Sequence, residues 1–152
     1  MKVIVGVDPD SNAHGIAIYI DGKLVSLHEW QLMDIHCYVL QLGVVDELFF
    51  SIENVLANTF IYERNEKDTK RIQSKVGIAV GRCQQAQMEL MRLLDYHGVP
   101  YQTFKPMRGN WAADKKMFER ITGWTGRSNA DTRSAAFFGY LMATGNLKEG
   151  KQ

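Results

Sequence analysis

Hydrophobic and polar positions alternate between two rhythms along the 152-residue chain. Val3, Ile4, Val5 and Val7 form a short apolar run rich in β-branched residues, ending at Asp8 and Pro9. That pattern predicts a buried strand running into a turn. Gly15 to Ile20 predicts a second strand, Asp21-Gly22 a tight hairpin turn, and Leu24 to Trp30 a third strand. Leu32 to Leu42 reads as a helix and Asp46 to Ile52 as a fourth strand. Residues 54–70 are polar without a clean period and predict a loop. From Arg71 to His97 the period is helical: Ile72, Val76, Ala79, Cys83, Ala86, Leu90, Leu94 and His97 fall in one stripe. Gly98 supplies a C-cap, Val99 to Phe104 a fifth strand, and Trp111 to Ile121 and Asn129 to Met142 two more helices. Asn129 is the expected N-cap of the last one.

The predicted order is β-β-β-α-β-α-β-α-α. Strands joined by tight turns should pair antiparallel, and strands separated by helices should run parallel to the first. The expectation is an α/β domain spanning residues 1–152, a mixed five-stranded sheet with helices on its faces. Ligands of such open sheets bind outside the carboxyl ends of the parallel strands. Asp8 and Glu53 stand at two of those ends, so two carboxylates from distant segments are expected at one edge.

Composition sharpens this picture. Apolar residues make up 45% and charged residues 23%, which excludes a disordered or fibrous chain. No apolar run is long enough to span a bilayer, and no signal-peptide core follows Met1. Cys37 and Cys83 are isolated, which suits a soluble protein in a reducing interior. The net charge of +1 hides an asymmetry. Residues 1–59 carry two basic and eight acidic side chains; residues 60–82 carry six and three, and residues 105–133 carry seven and three. A carboxylate site beside a polyanion-binding surface is the functional reading of that separation, and ordinary solvated charge is the bland one.

Five stretches carry a family resemblance. The segment from Asp8 to Gly15 resembles the D-P-G-x-x-x-x-G opening of the RuvC-like Holliday junction resolvases, within the ribonuclease H-like nuclease superfamily. Ile52 to Val55 is similar to their second acidic motif, and Gly77 to Gly81 to the small-residue stretch of the next helix. Gly109 to Lys115 resembles a glycine-rich turn entering an A-D-K helix start. Asn129 to Ala136 resembles the closing A-D-x-x-D-A motif. The stretches occur in the family's order, and two positions depart from it. Asp10 replaces a usual Gly, and Ser134 replaces the usual fourth carboxylate.

The resemblance implies a ribonuclease H-like fold, cleavage to 5′-phosphate and 3′-hydroxyl ends, and two Mg²⁺ ions per site, with Mn²⁺ as a substitute. Hydrolysing a phosphodiester needs an activated water and charge stabilisation, which paired hard cations on carboxylates supply. Asp8, Glu53 and Asp131 match the ligand positions, with Asp10 or Ser134 as open alternatives for a further one. Lys105 and Lys115 match positions near the scissile phosphate, with Lys116 competing for the second. Phe60 and Tyr62, interleaved with Arg64, Lys67, Lys70, Arg71 and Lys75, suit stacking on a base while cations follow the backbone; cover over a core is the alternative. Arg82, Arg108 and Lys116 complete the expected DNA-binding set. A homodimer would match the two-fold symmetry of a four-way junction, with Met88 and Met91 either at its face or against the sheet. His14 reads as structural, and Cys83 as core rather than nucleophile. Competing functions are a nuclease of RNA–DNA hybrids or simpler branched DNA, and a junction-binding protein with weak or no catalysis. A half of an actin-like or sugar-kinase fold is disfavoured, because those folds need two such halves.

Overall fold

The computed structural model describes residues 1–43, 47–57 and 69–145. Five strands and four helices appear in the expected order: β1 (Lys2–Asp8), β2 (His14–Ile20), β3 (Lys23–Trp30), α1 (Leu32–Leu42), β4 (Glu47–Glu53), α2 (Lys70–His97), β5 (Tyr101–Phe104), α3 (Lys115–Thr122) and α4 (Ala130–Ala143). The sheet order is β3-β2-β1-β4-β5. β1 pairs antiparallel with β2, and β2 with β3, whereas β4 runs parallel to both β1 and β5. This is the mixed sheet that the pattern predicted.

Side-chain alternation along β1 sorts the core into two layers. Val3, Val5 and Val7 face α1 and α2, packing with Ile35, Leu90 and Leu94. Ile4 faces the other way, with Ala17, Tyr19, Trp111, Phe118 and the α4 residues Ala135 and Ala136. α4 lies unusually close to the sheet because Gly6 has no side chain. A Cβ there would sit 2.1 Å from the carbonyl oxygen of Ala135. Two buried donors fasten the helix: the Tyr19 hydroxyl to the Ala136 carbonyl at 2.7 Å, and Ser51 Oγ to the Phe138 carbonyl at 2.6 Å. Burial holds the Tyr19 phenol protonated, so it remains a donor.

Three expectations need correction. α3 starts at Lys115, not Trp111. Asp114 caps it by accepting the Met117 N–H at 3.0 Å, and Trp111 is instead a buried core residue of the preceding turn. The stripe on α2 is also only half used: Leu90 and Leu94 are buried, while Ile72 and Val76 are exposed. A 28-residue helix is about 42 Å long, far longer than the sheet is deep, so its first half projects past the core. Lys70 belongs to this helix rather than to the preceding loop, with Thr69 as its N-cap. Met91 packs against the sheet-side core, which removes it from a dimer face. Asp46, Phe60, Tyr62, Arg64 and Lys67 lie outside the described residues.

Candidate active site

The site assembles at one edge because two parallel strands end together. Val7 pairs with Ile52 in the β1–β4 register, so Asp8 and Glu53 follow side by side. On the other flank Asp8 pairs with Gly15 of β2. Gly15 is where α4 comes closest to this edge, and a Cβ there would lie 2.5 Å from the Asp131 carbonyl oxygen. The α4 N-terminus is held by a reciprocal cap. Asn129 accepts the Thr132 N–H at 2.9 Å, and Thr132 Oγ1 accepts the Asn129 N–H at 3.0 Å. Asp131 therefore sits in the first helical turn over the β1–β2 pair.

The electrostatics register the crowding. Asp8 is pushed up to about 9, first by burial, then by the charge of Glu53 and a hydrogen bond with it, then by the charge of Asp131. The hydrogen bond with Ser134 pulls the other way. Asp131 is raised by burial and by the charges of Asp10 and Glu29. Glu53 and Asp131 thus both act on Asp8, which also hydrogen-bonds with Glu53 and Ser134, and the charges of Asp10 and Glu29 act on Asp131. Among the described residues, no three His, Cys, Asp or Glu side chains are set at cation-holding geometry. The donor chemistry nevertheless fits a hard divalent cation. All donors are oxygens, and the Asp8–Glu53 pair carries a hydrogen bond where a cation would relieve the same repulsion.

The basic residues are arranged differently. Lys105 directly follows Phe104, the partner of Glu53 in the β4–β5 register, so it lies at the same sheet edge. Arg108, Lys115 and Lys116 are exposed, and Lys115 lies 3.7 Å from Glu119. The charges acting on Asp8 are the acidic ones of Glu53 and Asp131. Lys70, Arg71, Lys75 and Arg82 are exposed along the first half of α2.

Several contributors were not foreseen. Gln87 is fully buried in the α2 stripe. Its Oε1 accepts the Val55 N–H at 2.8 Å, and its Nε2 donates to Asn54 Oδ1 at 3.0 Å, holding the turn that follows Glu53. A polar residue on a predicted apolar face was the available signal. Glu29 accepts from Asn129 Nδ2 at 2.7 Å, and nothing local marked it. Arg133 donates to the Ala112 carbonyl at 2.8 Å and to Ser128 Oγ at 3.0 Å, tying the turn before α3 to α4. His14 is structural, as expected: burial pushes it down to about 4, and its Nδ1 accepts the Asp10 N–H at 3.3 Å. Cys83 is half-buried rather than core. The backbone of Ser11 hydrogen-bonds to it, and burial raises its thiol, followed by the charges of Asp10, Asp8 and Asp131. A thiol held neutral is a poor nucleophile.

Comparison of folds places this edge in context. "T. thermophilus RuvC in complex with Holliday junction substrate" superposes with a TM-score of 0.61 over 99% of both chains, at 17% identity. The chain has the RuvC fold. A second solved structure, "Thermus thermophilus RuvC structure", matches with a TM-score of 0.52 at 18% identity, over 94% of this chain and 96% of that one. By sequence, neither a family model nor a curated protein matches. The RuvC fold is ribonuclease H-like, in agreement with the mixed sheet found here. Among the described residues, no helix is long and apolar enough to cross a membrane.

Proposed function

We propose that this chain is a divalent-cation-dependent endonuclease that resolves four-way DNA junctions. The observation that carries the reading is the meeting of Asp8, Glu53 and Asp131 on one sheet edge, in a fold shared with a RuvC bound to a Holliday junction. In this reading Asp8 would contribute to both of two Mg²⁺ or Mn²⁺ ions, Glu53 would hold one and Asp131 the other, since the charges of both acids act on Asp8. The chemistry that such ions supply when bound is an activated water and neutralised charge at the phosphodiester. Ser134 shares a hydrogen bond with Asp8 and orients its carboxylate, and Asp10 adds negative charge beside Asp131.

Lys105 and Lys115 approach the phosphate in this reading. Lys70, Arg71, Lys75, Arg82, Arg108 and Lys116, with Phe60, Tyr62, Arg64 and Lys67, grip the branched DNA. A homodimer presents two such sites to two opposed strands. The test is an immobile four-way junction offered beside an RNA–DNA hybrid and a flap in Mg²⁺, Mn²⁺ and chelator. Paired, cation-dependent nicks in the junction are expected, and preferential hybrid cutting would overturn the substrate assignment.

One observation favours a second reading, a junction-binding protein with weak catalysis. Ser134 supplies no charge where a fourth carboxylate would stand. Tight junction binding without cutting in either metal would decide for it.

A further inference from the structure

Two histidines away from the acidic edge face each other, ring nitrogen to ring nitrogen. His36 Nδ1 of α1 lies 2.9 Å from His97 Nε2 at the end of α2, and both rings are half-buried. The ring centroids are 5.0 Å apart with their planes at 38°, and Tyr96 stands edge-on to His97 at 5.1 Å. Core residues fix both helices here: Ile35, beside His36, and Leu94, three before His97, are fully buried in one cluster. The pair sits at the far end of the sheet from the carboxylates. His97 lines a hollow of about 400 Å³ together with Leu48 and Pro100. Leu48 lies five residues before Glu53 on β4, a separation of about 16 Å along a strand.

In a neutral pair, one imidazole donates its N–H and the other accepts. Moving that proton to the far nitrogen of the donor ring leaves a lone pair on each facing nitrogen, with no proton gained or lost overall. Such nitrogens suit Zn²⁺, Cu²⁺ and Ni²⁺. Metal–nitrogen bonds of about 2.0–2.1 Å end about 2.9 Å apart when they meet at a right angle, and about 3.4 Å apart at the tetrahedral angle. The spacing of His36 and His97 is the right-angled one. It fits neighbouring positions on square-planar or tetragonal Cu²⁺ or Ni²⁺ better than tetrahedral Zn²⁺. His97 is also the last residue of the 28-residue helix α2, and the negative end of a helix dipole favours a cation. Among the described residues, no third His, Cys, Asp or Glu completes a cation-holding group. Water entering from the hollow fills the remaining positions.

We propose that His36 and His97 form a binding site for one Cu²⁺ or Ni²⁺ ion, which ties α1 to the end of α2. The site is separate from the proposed nuclease chemistry and does not rest on it. The experiment titrates Ni²⁺ into the full chain, without a histidine tag, in excess Mg²⁺. The chain has four histidines, so each ring can be followed by NMR. The first equivalent should shift or broaden the His36 and His97 signals, leave His14 and His28 unchanged, and raise the melting temperature. His36→Gln and His97→Gln should each weaken Ni²⁺ binding by at least about tenfold and abolish that rise. The readout is the metal-dependent rise, so a variant that merely loses the hydrogen bond still reports. Ni²⁺ that perturbs His14 first is bound at the carboxylate edge, and that result overturns the site. Stabilisation by Ni²⁺ that persists in both variants overturns it too, as does a titration to which neither His36 nor His97 responds. A chain that cuts no junction yet holds Ni²⁺ between these rings defeats the nuclease reading alone.

Discussion

Gly15 and Asp131 are in contact through backbone: a Cβ on Gly15 would lie 2.5 Å from the Asp131 carbonyl oxygen and 3.2 Å from the Asp131 Cβ. The glycine is therefore a spacer that sets how close one acid comes to the edge where Asp8 and Glu53 end. Gly15→Ala should destabilise the protein by about 1–3 kcal/mol through overpacking and displace Asp131. Chemical denaturation and junction cutting measure the two effects. Cutting should fall more than the loss of folded protein accounts for, and a variant as stable and active as wild type would contradict the packing.

Removing any ligand carboxylate should stop the reaction without stopping recognition. Asp8→Asn, Glu53→Gln and Asp131→Asn are each expected to lower junction cutting by at least about a hundredfold, the scale on which even outer partners of metal ligands act. Junction affinity in gel-shift assays should persist. Undiminished cutting by one variant would take that residue out of the site.

Crowded carboxylates also make a prediction about stability. Asp8 is raised from 3.8 to about 9, so the folded state holds a proton that the unfolded chain gives up. Its favourable contribution is complete below the unfolded value and is lost as pH rises through the folded one. In chelator, the melting temperature should fall between about pH 7 and pH 9, and Mg²⁺ should counter that fall. Asp8→Asn should flatten the slope and raise stability at the alkaline end. A slope unchanged in that variant would show that another group is responsible.

Ser134 can be tested through the proton it influences. Its hydrogen bond pulls the Asp8 value down, so Ser134→Ala should move the acidic limb of the pH–rate profile toward higher pH. At neutral pH the rate should fall, because more of the Asp8 carboxyl then holds its proton. An unshifted profile with reduced rate would point to packing instead.

His14 acts in the opposite direction on the acid side. Burial lowers it from 6.5 to about 4, so the unfolded chain takes up a proton that the folded protein refuses. Its contribution is intact above 6.5 and is lost as pH falls toward 4, amounting to about 3 kcal/mol. Denaturant titrations from about pH 7 to pH 4 should show this loss on top of the carboxylate effects, and His14→Gln should reduce it.

Much of the architecture was legible in the chain because local patterns are written in neighbouring residues. The β-branched runs at Val3 to Val7 and Gly15 to Ile20 marked strands, Asp21-Gly22 their hairpin, and Gly98 the end of α2. Asp8 and Glu53 could be placed at one edge because strand direction follows from the connections between strands. Sequence alone misplaced the start of α3, because Trp111 has helix-compatible neighbours but is drawn into the core ahead of the Asp114 cap. It also set Ile72 and Val76 in one stripe with the buried Leu90 and Leu94 although both are exposed, since periodicity reports a face and not whether anything lies opposite it.

Contacts between distant residues were decided only by the tertiary structure. Gln87 reaching the turn after Glu53, Glu29 meeting Asn129, Arg133 binding the Ala112 carbonyl and His36 facing His97 all join segments far apart in the chain. No spacing rule encodes those pairs, because each depends on how closely helices settle on the sheet. That closeness is set by missing side chains, at Gly6 and Gly15, whose effect becomes visible only when the opposing backbone is in place.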